Sequence, residues 1–168
     1  MKQEILRNYL EINSLEDLNE VQKPKKYLNL IISKDFQLNK FLYKQIGRKY
    51  HWLDRLTWSD QNWIKYVSKK NVHTYVLKNR EDLVGYFELI FHERKRETEI
   101  AYFGILEEYF GKKLGAFLLS EAIKNSFLLN IKRVWVHTCS LDHEHALKNY
   151  LSRGLKIFKT ESVKTEIA

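Results

Sequence analysis

The chain has one cysteine and one proline among its 168 residues. A lone Cys139 excludes an internal disulfide and fits a reducing cytoplasm. Pro24 and only 6 glycines leave no Gly/Pro-rich linker, and no repeat or low-complexity tract breaks the pattern. A single domain over residues 1–168 is therefore expected, a length that supports one core and not two comfortable ones. Long apolar runs are also missing. The opening stretch, MKQEILRNYLEINSLEDL, sets Glu4 and Glu11 inside its apolar pattern and has no signal-peptide core. No segment approaches the roughly 20 apolar residues of a membrane span. The expectation is a soluble, cytoplasmic protein with no membrane partner.

Aromatic residues and positive charge are abundant. Hydrophobic residues make up 44% and aromatics 14%, enough to fold rather than stay disordered. With 29 Lys and Arg against 21 Asp and Glu, the formal charge is +8. That balance favours anionic partners: a phosphorylated cofactor, an acidic substrate or nucleic acid. The lysines are scattered, with no RNP-like or helix-turn-helix signature, which argues against nucleic acid.

Strands are read over residues 5–12, 27–33 (a buried one), 72–78, 83–91, 99–105, 133–139 and 155–160. Helical spacing is read over 36–50, after Trp58-Ser59-Asp60, from Gly111 to about Leu129, and over 144–152. A charged hairpin tip, HERKRE, separates two of the strands. Antiparallel strands are thus followed by one strand–helix–strand unit, which makes parallel neighbours with a right-handed crossover. The class is α/β on a mixed sheet.

The most informative stretch is Glu99 to Leu119, EIAYFGILEEYFGKKLGAFLL: a strand, a glycine turn and an amphipathic helix. A helix starting beside small residues offers unpaired amides and the positive end of its dipole to a phosphate. The P-loop spacing and the dinucleotide fingerprint G-x-G-x-x-G are both absent. In VHTCSLDHEHAL the residues His137, Cys139, Asp142, His143 and His145 lack common zinc spacing, so no metal is expected. Cys139 reads as a small strand residue before it reads as a nucleophile. Trp52, Trp58 and Trp63 read first as packing between two helices and the sheet.

From Glu99 to Leu155 the chain resembles the GCN5-related N-acetyltransferases. That family carries Q/R-x-x-G-x-G/A at the turn, where Phe110, Lys113 and Gly115 stand here. With Lys113 at the glycine place, the turn needs a backbone shape open to a residue with a Cβ, and the lysine can meet a phosphate charge directly. Family members continue with N-x-x-A-x-x-x-Y-x-x-x-G-F. Here His143, Ala146, Tyr150, Gly154 and Leu155 keep that spacing, and Ala146, Tyr150 and Gly154 agree in type.

The resemblance implies a mixed, mostly antiparallel twisted sheet with helices on both faces. Its parallel pair, strands 99–105 and 133–139, would splay to admit acetyl-CoA as co-substrate. It implies acetyl transfer to a primary amine of a small-molecule or peptide acceptor. Glu99 would be the base and Tyr150 the acid that protonates the departing thiolate. Their plain alternatives are a surface strand-end carboxylate and a buried aromatic. The implied cofactor contacts are Phe103 and Ile105 on the strand, Gly111, Lys112, Lys113, Leu114, Gly115 and Ala116 at the turn, and His143 beyond. In this region of the resembling family, the segment holding the tryptophans forms the acceptor wall. Relatives are often dimers, so a homodimer is one expectation. Two other readings stay open: a non-catalytic CoA-binding module and a nucleic-acid-binding module on the same fold. Basic surface charge disfavours a polycationic acceptor.

Overall fold

A computed structural model describes residues 1–166. Among them, seven strands form one sheet: β1 (Lys2–Ile12), β2 (Leu28–Ser33), β3 (Val72–Asn79), β4 (Asp82–His92), β5 (Glu97–Ile105), β6 (Arg133–Cys139) and β7 (Lys156–Glu166). Their order across the sheet is β2-β3-β4-β5-β6-β1-β7. All neighbours are antiparallel except β5 and β6. The helices are α1 (Phe36–Gly47), α2 (Asp60–Val67), α3 (Leu114–Phe127) and α4 (Ala146–Ser152). The α3 crossover joins the parallel pair, as the strand–helix–strand pattern requires.

The helices divide between the two faces. The apolar stripe of α3, including Leu114, Phe117, Leu118 and Ile123, packs on Phe87, Leu89 and Ile100 in the larger core cluster. On the opposite face Leu42 and Ile46 of α1 meet Val76 and Tyr86. Trp63 and Val67 of α2 join Tyr43 there. The helix-start signal at Ser59 has a physical counterpart, and the first helix has a cap that the sequence reading did not name. Asp35 accepts from the Gln37 amide at 2.9 Å, and Ser59 closes a capping box with Asn62. No helix among the described residues is long and apolar enough to cross a membrane.

Element ends differ from the sequence reading where backbone bonding overrides pattern. The first helix stops at Gly47, not Tyr50, because the Tyr50 and Trp52 amides both turn back to the Gly47 carbonyl, at 3.0 and 3.2 Å. The last strand continues to Glu166, well past Thr160. Its second half, KTESVKTE-like and polar on most positions, has no apolar alternation to read; it is held by ladder bonds to β1 from Lys2 onward. HERKRE forms an exposed hairpin tip, with Arg96 in the left-handed region at φ 51°.

Candidate active site

Three residue pairs join β5 to β6: Glu97 to Arg133, Thr98 to Val134 and Glu99 to Trp135. There the pairing stops. The cause lies on the other side of β5, where Leu89 faces Ile100 and Glu88 faces Tyr102, leaving Ala101 as an extra residue. Such a bulge bends the strand and ends regular pairing. From Tyr102 to Ile105, β5 keeps its β4 partners but leaves β6, so its backbone on that side is open. A cavity of about 880 Å³ fills the opening, with Phe103 and Ile105 on one wall and Val136 on the other.

The end of β5 leads into the glycine turn. Gly111 has φ 77° and Lys113 has φ 62°, ψ 14°. A Cβ on Gly111 would meet nothing within 4 Å, so the angle alone calls for glycine there. Lys113 takes the same left-handed region with a Cβ, at a cost of about 1 kcal/mol. Its carbonyl accepts the first helical bond, from Phe117 at 3.3 Å, and no side chain caps the helix. Leu114, Gly115 and Ala116 therefore begin α3 with orphan amides, and all three line the cavity. Asn149 donates to the Gly115 carbonyl at 3.2 Å and ties α4 to this turn. Lys112 lies apart. Its ammonium sits 5.2 Å over the Tyr109 ring and borders a small side pocket with Pro24 and Lys25.

Glu99 and Tyr150 approach the opening from opposite faces of the sheet. Glu99 pairs with Ile90 and Trp135, on the face carrying α1 and α2. Its side chain is 19% exposed and lies 3.4 Å from His92 Nε2. Burial raises its carboxyl above the usual carboxylate range, and the His92 contact opposes that shift in part. Tyr150 reaches in from α4, on the face of α3, with its ring 6.3 Å from Phe103. It is 6% exposed, and burial, with Asp142 adding to it, raises the phenol well above its ordinary value. It stays protonated through the neutral range, as a proton donor must. Both side chains line the same cavity.

Gly154 has a packing reason rather than a chemical one. At φ 106° it closes α4 with a Leu155 amide bond to the Tyr150 carbonyl, 3.1 Å, as in a Schellman motif. A Cβ there would lie 2.2 Å from the Asp17 carbonyl oxygen. The Tyr150–Gly154 spacing thus fixes the tyrosine's helix against the chain crossing beneath it.

The loop after β6 joins the cavity rim to α4. Asp142 accepts from the Thr138 hydroxyl and from the Cys139 amide at 3.0 Å. His143 Nδ1 accepts from the His145 amide at 3.0 Å, so this histidine shapes the entry to α4. Its ring also stands edge-on to Phe110 at 4.9 Å and to Tyr50 at 6.1 Å. Phe110 and His143, one departure from each of the two patterns, therefore touch each other. Burial and Asp142 push the Cys139 thiol up, away from the thiolate a nucleophile needs. Among the described residues no three His, Cys, Asp or Glu side chains gather as a metal site.

Sequence reasoning missed the centre of the α1–α2 wall. Arg55, 6% exposed, makes a bidentate pair with Glu88, 0% exposed, at 2.9 and 2.8 Å. Asn39 and Tyr66 also donate to Glu88, at 3.2 Å each. Five rings surround the guanidinium, the nearest being Tyr66 at 4.2 Å, Tyr102 at 4.5 Å and Trp58 at 4.8 Å. Trp58 and Trp63 thus pack around a buried charge, while Trp52 rests on Tyr43 and Tyr102. The available signal was Arg55 itself, an arginine set among Trp52, Trp58 and Trp63.

Known proteins share this architecture. A GCN5-related N-acetyltransferase from Kribbella flavida superposes with TM-score 0.67 at 15% identity, over 97% of this chain and 58% of that one. An aminoglycoside acetyltransferase from an uncultured soil metagenomic sample, in complex with sisomicin, gives TM-score 0.66 at 13% identity, over 78% and 90%. A GCN5-related glucosamine N-acetyltransferase region of a fungal multi-domain GH3 β-N-acetylglucosaminidase gives 0.68 at 13%, over 98% and 21%. The chain thus spans only part of the first and third of these proteins. No curated protein sequence matches it. These likenesses speak to the fold. The profile of the acetyltransferase (GNAT) family matches residues 33–155, the greater part of the sequence, and with the splayed parallel pair and the uncapped helix behind it, the chain belongs to that family.

Proposed function

We propose that this protein is an acetyl-CoA-dependent N-acetyltransferase that moves the acetyl group directly to a primary amine in a ternary complex. The observation that carries the reading is the end of β5–β6 pairing at Glu99–Trp135, which opens the sheet beside the orphan amides of α3. A diphosphate suits those amides and the helix dipole, with Lys113 adding charge at the turn. Gly111, Leu114, Gly115 and Ala116 would surround it, while Lys112 serves at most the outer margin. The free strand edge at Phe103 and Ile105 suits an extended amide-bearing arm, which pairs with backbone as an added strand does. His143 would flank the arm from the β6 side. All of the described strands share one sheet, which supports reading residues 1–168 as a single domain.

The chemistry follows from the two faces. The acceptor amine, mostly protonated at neutral pH, must lose a proton before it attacks. Glu99, with its proton affinity raised by burial, takes that proton directly or through water. The nitrogen attacks the thioester carbonyl, the C–N bond forms and the C–S bond breaks. The thiolate leaves toward the α4 face, where the Tyr150 hydroxyl supplies its proton. The raised thiol of Cys139 makes a covalent acyl-cysteine route the weaker one. The test is an acceptor panel with acetyl-CoA, read by released free thiol. Turnover with amines and none with alcohols is expected. No thiol release with any amine, together with no acetyl-CoA binding at hundreds of micromolar, would contradict the reading.

A further inference from the structure

On the α1–α2 face, the cavity continues past Glu99 to a guanidinium that the transfer chemistry does not use. Arg7 lies on β1 opposite Cys139 of β6, and both line the cavity. Direct partners across a sheet share a face, and so do alternate residues on one strand. Trp135 and Cys139 therefore put Arg7 on the same face as Glu99. That is the face opposite α3, so a diphosphate on the α3 amides lies on the other side of the sheet.

Arg7 has little to hold among the described residues. Its Nε is buried with no hydrogen-bond partner. Its Nη1 makes only a long contact, 3.4 Å, to the Tyr9 hydroxyl. Its cross-strand neighbour Glu161 feels the Arg7 charge but makes no ion pair with it, accepting instead from Tyr9 at 2.6 Å and facing Lys159 at 3.2 Å. A guanidinium with a desolvated, unpartnered N–H beside a cavity favours an incoming carboxylate, which its fork can bind in two places. Counting strand rise and strand spacing, Arg7 and Glu99 stand about 16 Å apart at Cα, and both side chains line the same cavity.

Building on the acetyltransferase reading, we infer that the acceptor is a zwitterion: a primary amine carrying a carboxylate, held by Arg7 while its nitrogen faces Glu99. Arg7 acts as a specificity-determining residue that touches the acceptor and leaves acetyl-CoA alone. It also sets a positive charge where a polyamine would otherwise enter.

The experiment compares amino acids with the matching amines that lack the carboxylate: phenylalanine with phenethylamine, tryptophan with tryptamine, lysine with cadaverine. Thiol release from acetyl-CoA is read for each pair, alongside acetyl-CoA affinity by calorimetry. For at least one pair the amino acid is expected to show kcat/KM about 10- to 100-fold above its amine, the worth of one charge-assisted contact. Arg7→Gln should abolish that preference by raising KM, with Arg7→Lys restoring part of it and acetyl-CoA affinity unchanged in both. Melting curves establish that the variants fold; the comparison within wild type stands without them. Acetyl-CoA binding combined with equal or better use of the decarboxylated amines, or with no use of any carboxylate-bearing amine, overturns the inference and leaves the acetyltransferase reading standing. No acetyl-CoA binding at all removes both.

Discussion

The two faces beside β5 are built on opposite plans. On the α1–α2 side both oxygens of the Glu88 carboxylate are engaged: Arg55 donates twice, Asn39 and Tyr66 once each, with rings packed around the guanidinium. Across β5, at the opening toward β6, the backbone is left without partners and the helix behind it without a cap. One region is locked around a charge whose counter-charge is fully bonded. The other can take a ligand because bonds are withheld. The bulge at Ala101 lies between them, and Tyr102, the next residue, turns onto the rings around Arg55. The locked wall therefore holds the strand whose free edge forms the site.

The largest effect that would break this contrast is expected at Glu88. Glu88→Gln leaves Arg55 buried and without its counter-charge, and should cost about 3–5 kcal/mol of folding stability. Chemical denaturation checks it; a loss below about 1 kcal/mol would mean that the pair does not lock the wall. Tyr150→Phe should leave stability and acetyl-CoA affinity nearly intact while lowering turnover about 10²–10⁴-fold. Unchanged turnover would return Tyr150 to a packing residue.

A third change separates packing from chemistry at the same motif. Gly154→Ala forces a Cβ against the Asp17 carbonyl in a left-handed residue, and a loss of about 2 kcal/mol is expected. Thermal melting reads it directly, and the folded fraction should keep its kcat.

The pH dependence sharpens the role of Glu99. Its folded-state carboxyl is raised, so the base form is lost as pH falls through a value above the usual carboxylate range. Activity should fall on that acid side, and Glu99→Gln should flatten the limb. For stability the sign reverses: a raised acid favours the fold below its unfolded value, and that contribution is lost as pH rises through the folded one. The smallest effect is expected at Lys113→Gly. Relief of the left-handed strain should stabilise the chain by about 1 kcal/mol, while loss of the charge weakens acetyl-CoA binding severalfold.

Much of the scaffold was legible in the sequence because it rests on local chemistry. The cap at Ser59, the α3 stripe and the glycine turn are written in adjacent residues. The parallel pair followed from the strand–helix–strand order. Long-range features were not legible. Nothing in IAYFGI marks Ala101 as a bulge, since the extra residue exists only in relation to β4. Arg55 and Glu88 are separated by two elements and meet only in the fold. Arg7 sits in an ordinary alternating strand, ILRNYLEI, and its place at the cavity depends on β1 inserting between β6 and β7. The extent of β7 was hidden because its polar second half is held by backbone alone.

The central claim is that acetyl-CoA enters between β5 and β6 with its diphosphate on the first amides of α3. Amide chemical shifts of uniformly ¹⁵N-labelled protein, followed through an acetyl-CoA titration, test it most directly. The account predicts that the largest changes fall on Gly111 through Ala116 and on Phe103 and Ile105, while amides around Arg55 and Glu88 stay nearly fixed. Shifts concentrated elsewhere, or none up to hundreds of micromolar ligand, would contradict it.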